Sequence, residues 1–170
     1  LGPLGPGLGQ PVSRGRGLTS LAMIDLDFLR DINNTHGHLA GDAVITAIAH
    51  VIGAGARATD MAARFGGEEF SLLMPATSVE AAALVAERVR VAIADLVIET
   101  EGMELRATVS IGVASGAETL EELIRRADRA LYRAKGRGRN VVVVADESDE
   151  TVEEVVDRRA RTSNSTSTVR

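Results

Sequence analysis

Residues 61–74, MAARFGGEEFSLLM, join two strand-like segments through two glycines and two adjacent glutamates. A Gly-Gly pair between apolar runs is typical of a β-hairpin, because glycine tolerates the positive φ angles of tight primed turns. Pro75 ends the second strand, since proline cannot donate a hydrogen bond to a sheet. Glu68 and Glu69 carry like charges that repel one another, so their place at the hairpin tip indicates a role beyond folding.

The segments around this hairpin predict a mainly antiparallel sheet with helices packed on it. Apolar runs and alternations indicate strands at 21–27, 61–65, 68–74, 105–115 and 140–144. Helical spacing and capping boxes indicate helices after the first strand, from Asp42 to about Gly55, after Thr77-x-x-Glu80 and after Thr119-x-x-Glu122. The resulting order, β-α-α-β-β-α-β-α-β, predicts an α+β fold of the ferredoxin-like palm type.

The composition of the two ends differs from that of the middle. Nine of residues 1–17 are Gly or Pro, which is typical of a flexible leader or cloning remnant. Residues 146–170 are acidic, then basic, then rich in Ser and Thr, and we expect them to be partly disordered. The folded domain is therefore predicted to span residues 18–145.

Charge and composition exclude several classes of protein. The chain has no cysteine, which excludes disulfides and thiolate chemistry. A net charge of −5 argues against a nucleic-acid partner, because nucleic-acid binders are normally basic. No apolar run was expected to approach the roughly 18 residues of a membrane span. These observations predict a cytoplasmic domain without direct membrane contact, although a parent protein could be anchored through other regions.

Acidic residues are predicted to meet at one edge of the sheet. Asp25 ends the first strand, and Glu68 and Glu69 lie at the hairpin tip. If these strands are neighbours, the carboxylates need a cation between them, and hard oxygen ligands favour Mg²⁺. Mg²⁺ keeps few carboxylates and recruits phosphate oxygens, so the site indicates phosphoryl or nucleotidyl transfer. The alternative is that the acids only make a turn soluble.

Cationic and amide side chains extend this hypothesis to a nucleotide. Lys135 and Arg139 lie four residues apart across a helix end and could neutralise a triphosphate. They could equally complement the helix dipole. Asn33 and Asp42 offer the acceptors and donors that match a guanine edge. Alternatively, both are turn and N-cap residues.

Four motifs in order resemble the GGDEF family of diguanylate cyclases, in its GGEEF variant. They are DLDFLRDINNTHGHLAGD, RFGGEEF, VSIGVA and ADRALYRAKGRGRN, and the resemblance covers residues 21 to about 144. It implies the cyclase palm fold, GTP as substrate, and cyclic di-GMP as product, formed with Mg²⁺, or with Mn²⁺ in its place. It also implies a homodimer, because each domain would hold one GTP and the reaction joins two.

The resemblance implies roles for single residues. Asp25, Glu68 and the backbone carbonyl of Leu26 would hold the metal ions, with Glu69 as an assisting acid. The residues that would contact GTP are Asn33 and Asp42 at guanine, Lys135, Arg139 and Arg30 at the triphosphate, and Gly66 and Gly67 at the α-phosphate. Arg30 stands where the family usually has Lys.

Residues 57–60, Arg-Ala-Thr-Asp, resemble the family's RxxD site of inhibition by product. Arg57 and Asp60 would bind cyclic di-GMP, and Arg88 would add a secondary contact; a surface ion pair is the alternative. Two further functions stay open: a catalytically silent module that binds GTP or cyclic di-GMP, and a cyclase for another purine. The family's usual opening helix is not recognisable among the residues before Asp25, which favours the silent module, whereas the intact acids favour the enzyme.

Overall fold

The computed structural model describes residues 18–116 and 119–145. The predicted leader, residues 1–17, and the predicted tail, residues 146–170, lie outside the described residues.

Seven strands and four helices form within the described residues. The strands are β1 (Ser20–Leu26), β2 (Met61–Arg64), β3 (Glu69–Met74), β4 (Ile98–Thr100), β5 (Met103–Leu105), β6 (Val109–Ser115) and β7 (Val142–Val144). The helices are α1 (Leu29–His36), α2 (His38–Gly55), α3 (Val79–Asp95) and α4 (Leu120–Gly136).

Five of the strands form one sheet in the order β2-β3-β1-β6-β7. All neighbours in it are antiparallel except the parallel pair β6 and β7. This confirms the predicted α+β fold with a central, mainly antiparallel sheet. β1 lies at its centre, where Asp25 is opposite Glu69 of β3 and Ser110 of β6.

Helices cover both faces of the sheet, which explains why every residue of β1 is buried. Side chains alternate along a strand. Ala22, Ile24 and Leu26 therefore enter the core shared with α1, α2 and α3. Leu21 and Met23 point the other way and pack with residues of α4. Asp25 has the same parity as the second set, so the strand directs its carboxylate toward α4.

α4 approaches the sheet most closely at Gly112 of β6. A Cβ at this position would lie 2.1 Å from the carbonyl oxygen of Ala127 and 2.2 Å from the backbone nitrogen of Leu131. Both atoms belong to the helix backbone and cannot move aside independently. Gly112 thus fixes how close α4, and the cation at its end, comes to the sheet.

The structure contains a small hairpin that the sequence analysis missed. β4 and β5 pair through a turn at Glu101 and Gly102, whose φ angles are +47° and +77°. Consecutive positive φ values are those of a type I′ turn. As a result, the strand predicted over 105–115 is divided, with Leu105 ending β5 and Val109 beginning β6.

Two predicted helix starts are also wrong, and one is confirmed. Thr119 caps α4 by accepting the N–H of Glu122. Thr77 does not cap α3: its hydroxyl donates to the carbonyl of Pro75, and the cap is Ser78, which accepts the N–H of Ala81. α2 begins at His38 rather than Asp42.

α2 is, within the described ranges, the one helix long and apolar enough to cross a membrane by length and composition. Its 18 residues have a mean hydropathy of 1.3, so the expectation that no apolar run reaches this length is wrong. In the fold, Ala40, Val44 and Ile48 of this helix are fully buried in the core.

Candidate active site

Asp25 forms an ion pair with a cation of α4. Its carboxylate is 3% exposed, and Oδ2 lies 3.0 Å from Nζ of Lys135. Lys135 is in the last turn of α4, on the face that packs over the odd residues of β1. The structure therefore brings together an acid and a cation that the sequence analysis had assigned to different ligands.

Burial makes the charged forms of Asp25 and Glu68 less favourable. Burial raises the pKa of Asp25, while the hydrogen bond and the positive charge of Lys135 act in the opposite direction. Burial also raises the pKa of Glu68, and the negative charge of Asp25 adds to this effect. The negative charge of Asp25 thus reaches Glu68, and a cation placed between the two carboxylates would be stabilised.

The position of Glu68 is fixed by the backbone. Its carbonyl oxygen accepts the N–H of Leu26 at 3.1 Å, which ties the hairpin loop to the end of β1. Arg64 closes the loop from the other side by donating to the carbonyls of Gly66 and Gly67. Glu68 consequently reaches the end of β1 beside Asp25, as the sequence predicts.

The two glycines of the loop do not serve the turn as predicted. Neither Gly66 nor Gly67 has a positive φ, and the connection from Arg64 to Glu69 is four residues long. A Cβ on Gly66 would lie 2.8 Å from Oε2 of Glu69, so the glycine makes room for that carboxylate. At Gly67 a Cβ would meet nothing within 4 Å, which leaves the loop surface open.

The donor set fits a hard cation bound through few protein ligands. No group of three or more His, Cys, Asp or Glu side chains that could hold a metal occurs in residues 18–116 or 119–145. Asp25, Glu68 and the carbonyl of Leu26 supply only oxygen donors. Mg²⁺ prefers oxygen and commonly completes its shell with water and substrate phosphates, so this set suits it.

Two further predicted cations lie on segments next to the end of β1. The Arg139 guanidinium stacks 4.7 Å from the ring centre of Phe28, the residue that precedes α1. Its charge also acts to lower the pKa of Asp25. Arg30 lies exposed in the first turn of α1, two residues after Phe28. All three predicted cations thus lie on elements that meet at the end of β1.

Asn33 and Asp42 lie where the two consecutive helices α1 and α2 pack together. The Oδ1 atom of Asn33 is buried without a hydrogen-bond partner, against Gly41. Asp42 follows Gly41 and is exposed. It lies inside α2, so the alternative that it caps the helix is wrong. An unsatisfied buried acceptor is costly in free energy.

Arg57 and Asp60 form a closed turn before β2. The Asp60 carboxylate accepts the backbone N–H of Arg57 at 2.8 Å, and the Asp60 N–H donates to the Arg57 carbonyl at 3.0 Å. The other carboxylate oxygen, Oδ1, is buried without a partner. Arg88 of α3 donates to the carbonyl of Gly55 at 3.0 Å, which places it beside this turn.

Asp27, two residues after Asp25, is a buried acid for which the sequence predicted no role. It is 3% exposed and accepts hydrogen bonds from the hydroxyls of Thr108 and Ser110, each at 2.7 Å. It also accepts the backbone N–H of Asn140 at 3.1 Å. The only signal in the sequence was a second acid at the end of an apolar strand.

The sequence matches the family model "Diguanylate cyclase, GGDEF domain" over residues 8–141. Diguanylate cyclase A of Treponema denticola is 43% identical over 129 residues, which cover 74% of this chain and 35% of that protein. The chain spans between 19% and 35% of the length of the first curated relatives it matches.

Solved structures show the same likeness. The GGDEF domain of DgcB from Caulobacter crescentus, in complex with c-di-GMP, is 36% identical with a TM-score of 0.72. That match covers 75% of this chain and 77% of the other. The active GGEEF domain of a diguanylate cyclase from Vibrio cholerae is 31% identical with a TM-score of 0.72, over 78% of this chain and 85% of that one.

Proposed function

The chain belongs to the GGDEF family of diguanylate cyclase domains, and we propose that it condenses two GTP molecules into cyclic di-GMP. The observation that carries this proposal is the placement of Asp25 and Glu68 at the end of β1, with Lys135 paired to Asp25. The related GGEEF domain from Vibrio cholerae is described as active, which supports the variant motif found here.

Asp25, Glu68 and the backbone carbonyl of Leu26 would hold Mg²⁺, with Mn²⁺ as a substitute. When bound, the metal would supply a positive charge that stabilises the reacting phosphate and makes the attacking hydroxyl more acidic. Glu69 assists at this site: its carboxylate lies against Gly66, inside the same loop. The raised pKa values of Asp25 and Glu68 support this assignment, because both acids gain from a neighbouring cation.

Lys135, Arg139 and Arg30 are the proposed partners of the triphosphate. Lys135 can leave Asp25 for a phosphate oxygen, since its side chain is 34% exposed while Asp25 is buried. Gly66 and Gly67 present a loop surface on which the α-phosphate can lie. Charge-assisted bonds of this kind orient the phosphate as well as bind it.

Asn33 and Asp42 are the residues that we propose to recognise guanine. Asn33 lies against Gly41, directly before Asp42, and its amide can pair with a guanine edge, whose N1 and N2 carry donors. Asp42 is exposed on the adjoining turn of α2 and can accept a second hydrogen bond from the same edge. Adenine lacks this pair of donors, which gives a physical reason for a preference for GTP.

The reaction requires two copies of the domain. The 3′-hydroxyl oxygen of one GTP attacks the α-phosphorus of the other, the bond to pyrophosphate breaks, and the hydroxyl proton is released. Repeating the step closes the ring and releases a second pyrophosphate. One site per domain then implies a symmetric homodimer in which the two sites face each other.

The purified protein is expected to convert GTP, but not ATP, into a cyclic dinucleotide when Mg²⁺ is present. Chromatography of the products with and without Mg²⁺ measures this directly.

Asp42→Ala is expected to reduce the preference for GTP over ATP by about tenfold, since a hydrogen bond to a charged group contributes at least about that factor. Glu104→Ala, an exposed acid of β5 outside the site, is the matched control. Binding of GTP without turnover, even in a protein forced to dimerise, would replace the enzyme with a silent binding module.

We also propose that Arg57, Asp60 and Arg88 bind the product and inhibit the enzyme. The exposed Arg57 and the neighbouring Arg88 support this, because an Arg fork suits phosphate or guanine recognition. Arg57→Ala is expected to raise by about tenfold or more the cyclic di-GMP concentration that halves the initial rate. The uninhibited rate should stay within twofold of the unchanged protein, because the turn lies away from the acids. Equal inhibition of Arg57→Ala and the unchanged protein in a rate titration would contradict the assignment.

A further inference from the structure

The loop that follows α4 has an unusual backbone. Gly138, Arg139 and Asn140 have φ angles of +102°, +67° and +45°, so three consecutive residues lie in the left-handed region. Only glycine enters this region without strain, and asparagine tolerates it better than most other residues. Arg139 is the strained member, and neighbouring contacts must hold it there.

Asp27 holds the backbone of this loop from the sheet. Its buried carboxylate accepts the N–H of Asn140, while Thr108 and Ser110 of the β6 segment fix the carboxylate itself. Because all three donors point at one buried acid, the acid cannot turn away without leaving a donor unpaired. The main chain of Asn140 is therefore anchored next to the end of β1.

Arg90 of α3 holds the side chain of the same residue. Its Nη1 donates to Oδ1 of Asn140 at 2.6 Å. Glu87 accepts two hydrogen bonds from Arg90, at 2.8 and 2.6 Å, and this fork fixes the direction of the guanidinium. The bond to Arg90 also lowers the pKa of Glu87, so the carboxylate stays charged.

We propose that Asn140 is a positioning residue that sets the direction of Arg139 for the triphosphate. Asn140 is fixed at its backbone by Asp27 and at its side chain by Arg90, and Arg139 precedes it directly. With Asn140 fixed, Arg139 extends over Phe28 toward the end of β1, next to the pair of Asp25 and Lys135. This inference rests on the proposed function, in which Arg139 binds phosphate.

The test compares three variants with the unchanged protein. Asn140→Ala removes the bond to Arg90 and disfavours the left-handed backbone. Arg90→Met removes the same bond but leaves Asn140 and most of the packing of the long side chain in place. Asn140→Asp keeps both an acceptor for Arg90 and tolerance of a left-handed backbone, so it should restore the contact.

The readout is binding of a non-hydrolysable GTP analogue with Mg²⁺, measured by calorimetry, beside binding of guanosine measured by NMR titration. Asn140→Ala and Arg90→Met are each expected to weaken binding of the analogue by about tenfold. Guanosine binding should change less than twofold, since guanosine has no phosphate. Asn140→Asp should stay within about threefold of the unchanged protein for both ligands. Combining Asn140→Ala with Arg90→Met should add little, because the two remove one shared contact.

Ile93→Val is the control for a merely structural effect, because it weakens core packing of α3 without touching the loop. It should lower Tm and leave binding of the analogue unchanged. If Asn140→Ala and Arg90→Met lower Tm but bind the analogue as tightly as the unchanged protein, the positioning role of Asn140 is overturned while the proposed function stands. Failure of the unchanged protein to bind the analogue would overturn the proposed function, and the positioning role with it.

Discussion

Replacing Asp25 with asparagine is expected to reduce the formation of cyclic di-GMP by about a thousandfold or more. An amide oxygen is a neutral and weaker metal ligand than a carboxylate, and each 1.4 kcal/mol of lost transition-state stabilisation lowers the rate by about a factor of ten.

The change Asp25→Asn is also expected to keep or raise Tm at neutral pH. Asparagine resembles the protonated acid, which burial favours in the folded state, and Lys135 is exposed enough to be hydrated.

The effect of Asp25→Asn on stability should depend on pH with a definite sign. The folded protein raises the pKa of Asp25 above its ordinary value of 3.8, so the folded state binds the proton more tightly than the unfolded state does. The stability that this proton provides is complete below that value and is lost as pH rises through the raised pKa. The Tm advantage of the variant over the unchanged protein should therefore grow from about pH 4 to pH 7.

Rates from chromatography and melting curves across this pH range measure the two effects. Glu104→Gln is the matched acid-to-amide control on an exposed strand and should leave both the rate and the melting curve as they are. A rate above a tenth of normal in Asp25→Asn would exclude Asp25 as a metal ligand. A Tm advantage that shrinks with rising pH would contradict the assignment of the raised pKa.

Replacing Gly112 with alanine is expected to lower the free energy of unfolding by about 3 kcal/mol or more, at the upper end of overpacking effects. The added methyl group would meet backbone atoms of Ala127 and Leu131 at little over 2 Å, so α4 must move as a whole. Lys135, at the end of that helix, would move with it, and activity should fall together with stability.

Urea unfolding followed by circular dichroism measures this change. Gly53→Ala is the matched control: Gly53 lies in α2, and a Cβ there would meet nothing within 4 Å. It should stabilise the domain by about 0.5 kcal/mol, because alanine favours a helix more than glycine does. Equal stability of Gly112→Ala and the unchanged protein would show that α4 does not lie against β6 as described.

The pairing of Asp25 with Glu68 could be predicted from sequence because it needs only local rules. A strand that ends in an acid and a hairpin with acids at its tip meet whenever their strands are neighbours. The pairing of Asp25 with Lys135 needs more information. It depends on which face of β1 is covered by α4, and that is decided by the crossover from β6 through α4 to the parallel strand β7.

The hydrogen bonds to Asp27 could not be predicted from the sequence for a related reason. Its partners Thr108, Ser110 and Asn140 are 81, 83 and 113 residues away along the chain. Hydroxyl and amide groups at such separations carry no periodicity or spacing that would link them. The role of Gly66 was also hidden, since it arises from the close approach of the Glu69 carboxylate and not from a special φ angle.

The proposed guanine-binding residues and the proposed metal-binding acids lie on different parts of the fold, and this affects how mutations can alter nucleotide specificity. Asn33 and Asp42 lie on α1 and α2, whereas Asp25 and Glu68 lie on the central strand and its neighbouring hairpin. Within the described residues, the proposed guanine-binding residues and the proposed metal-binding acids therefore lie on different secondary-structure elements, whereas Arg30, a proposed partner of the triphosphate, shares α1 with Asn33. We expect substitutions at Asp42 and its neighbours on α2 to alter nucleobase choice while Arg30 and the acids at the end of β1 stay unchanged. Laboratory evolution of a new nucleotide specificity would therefore begin on α2.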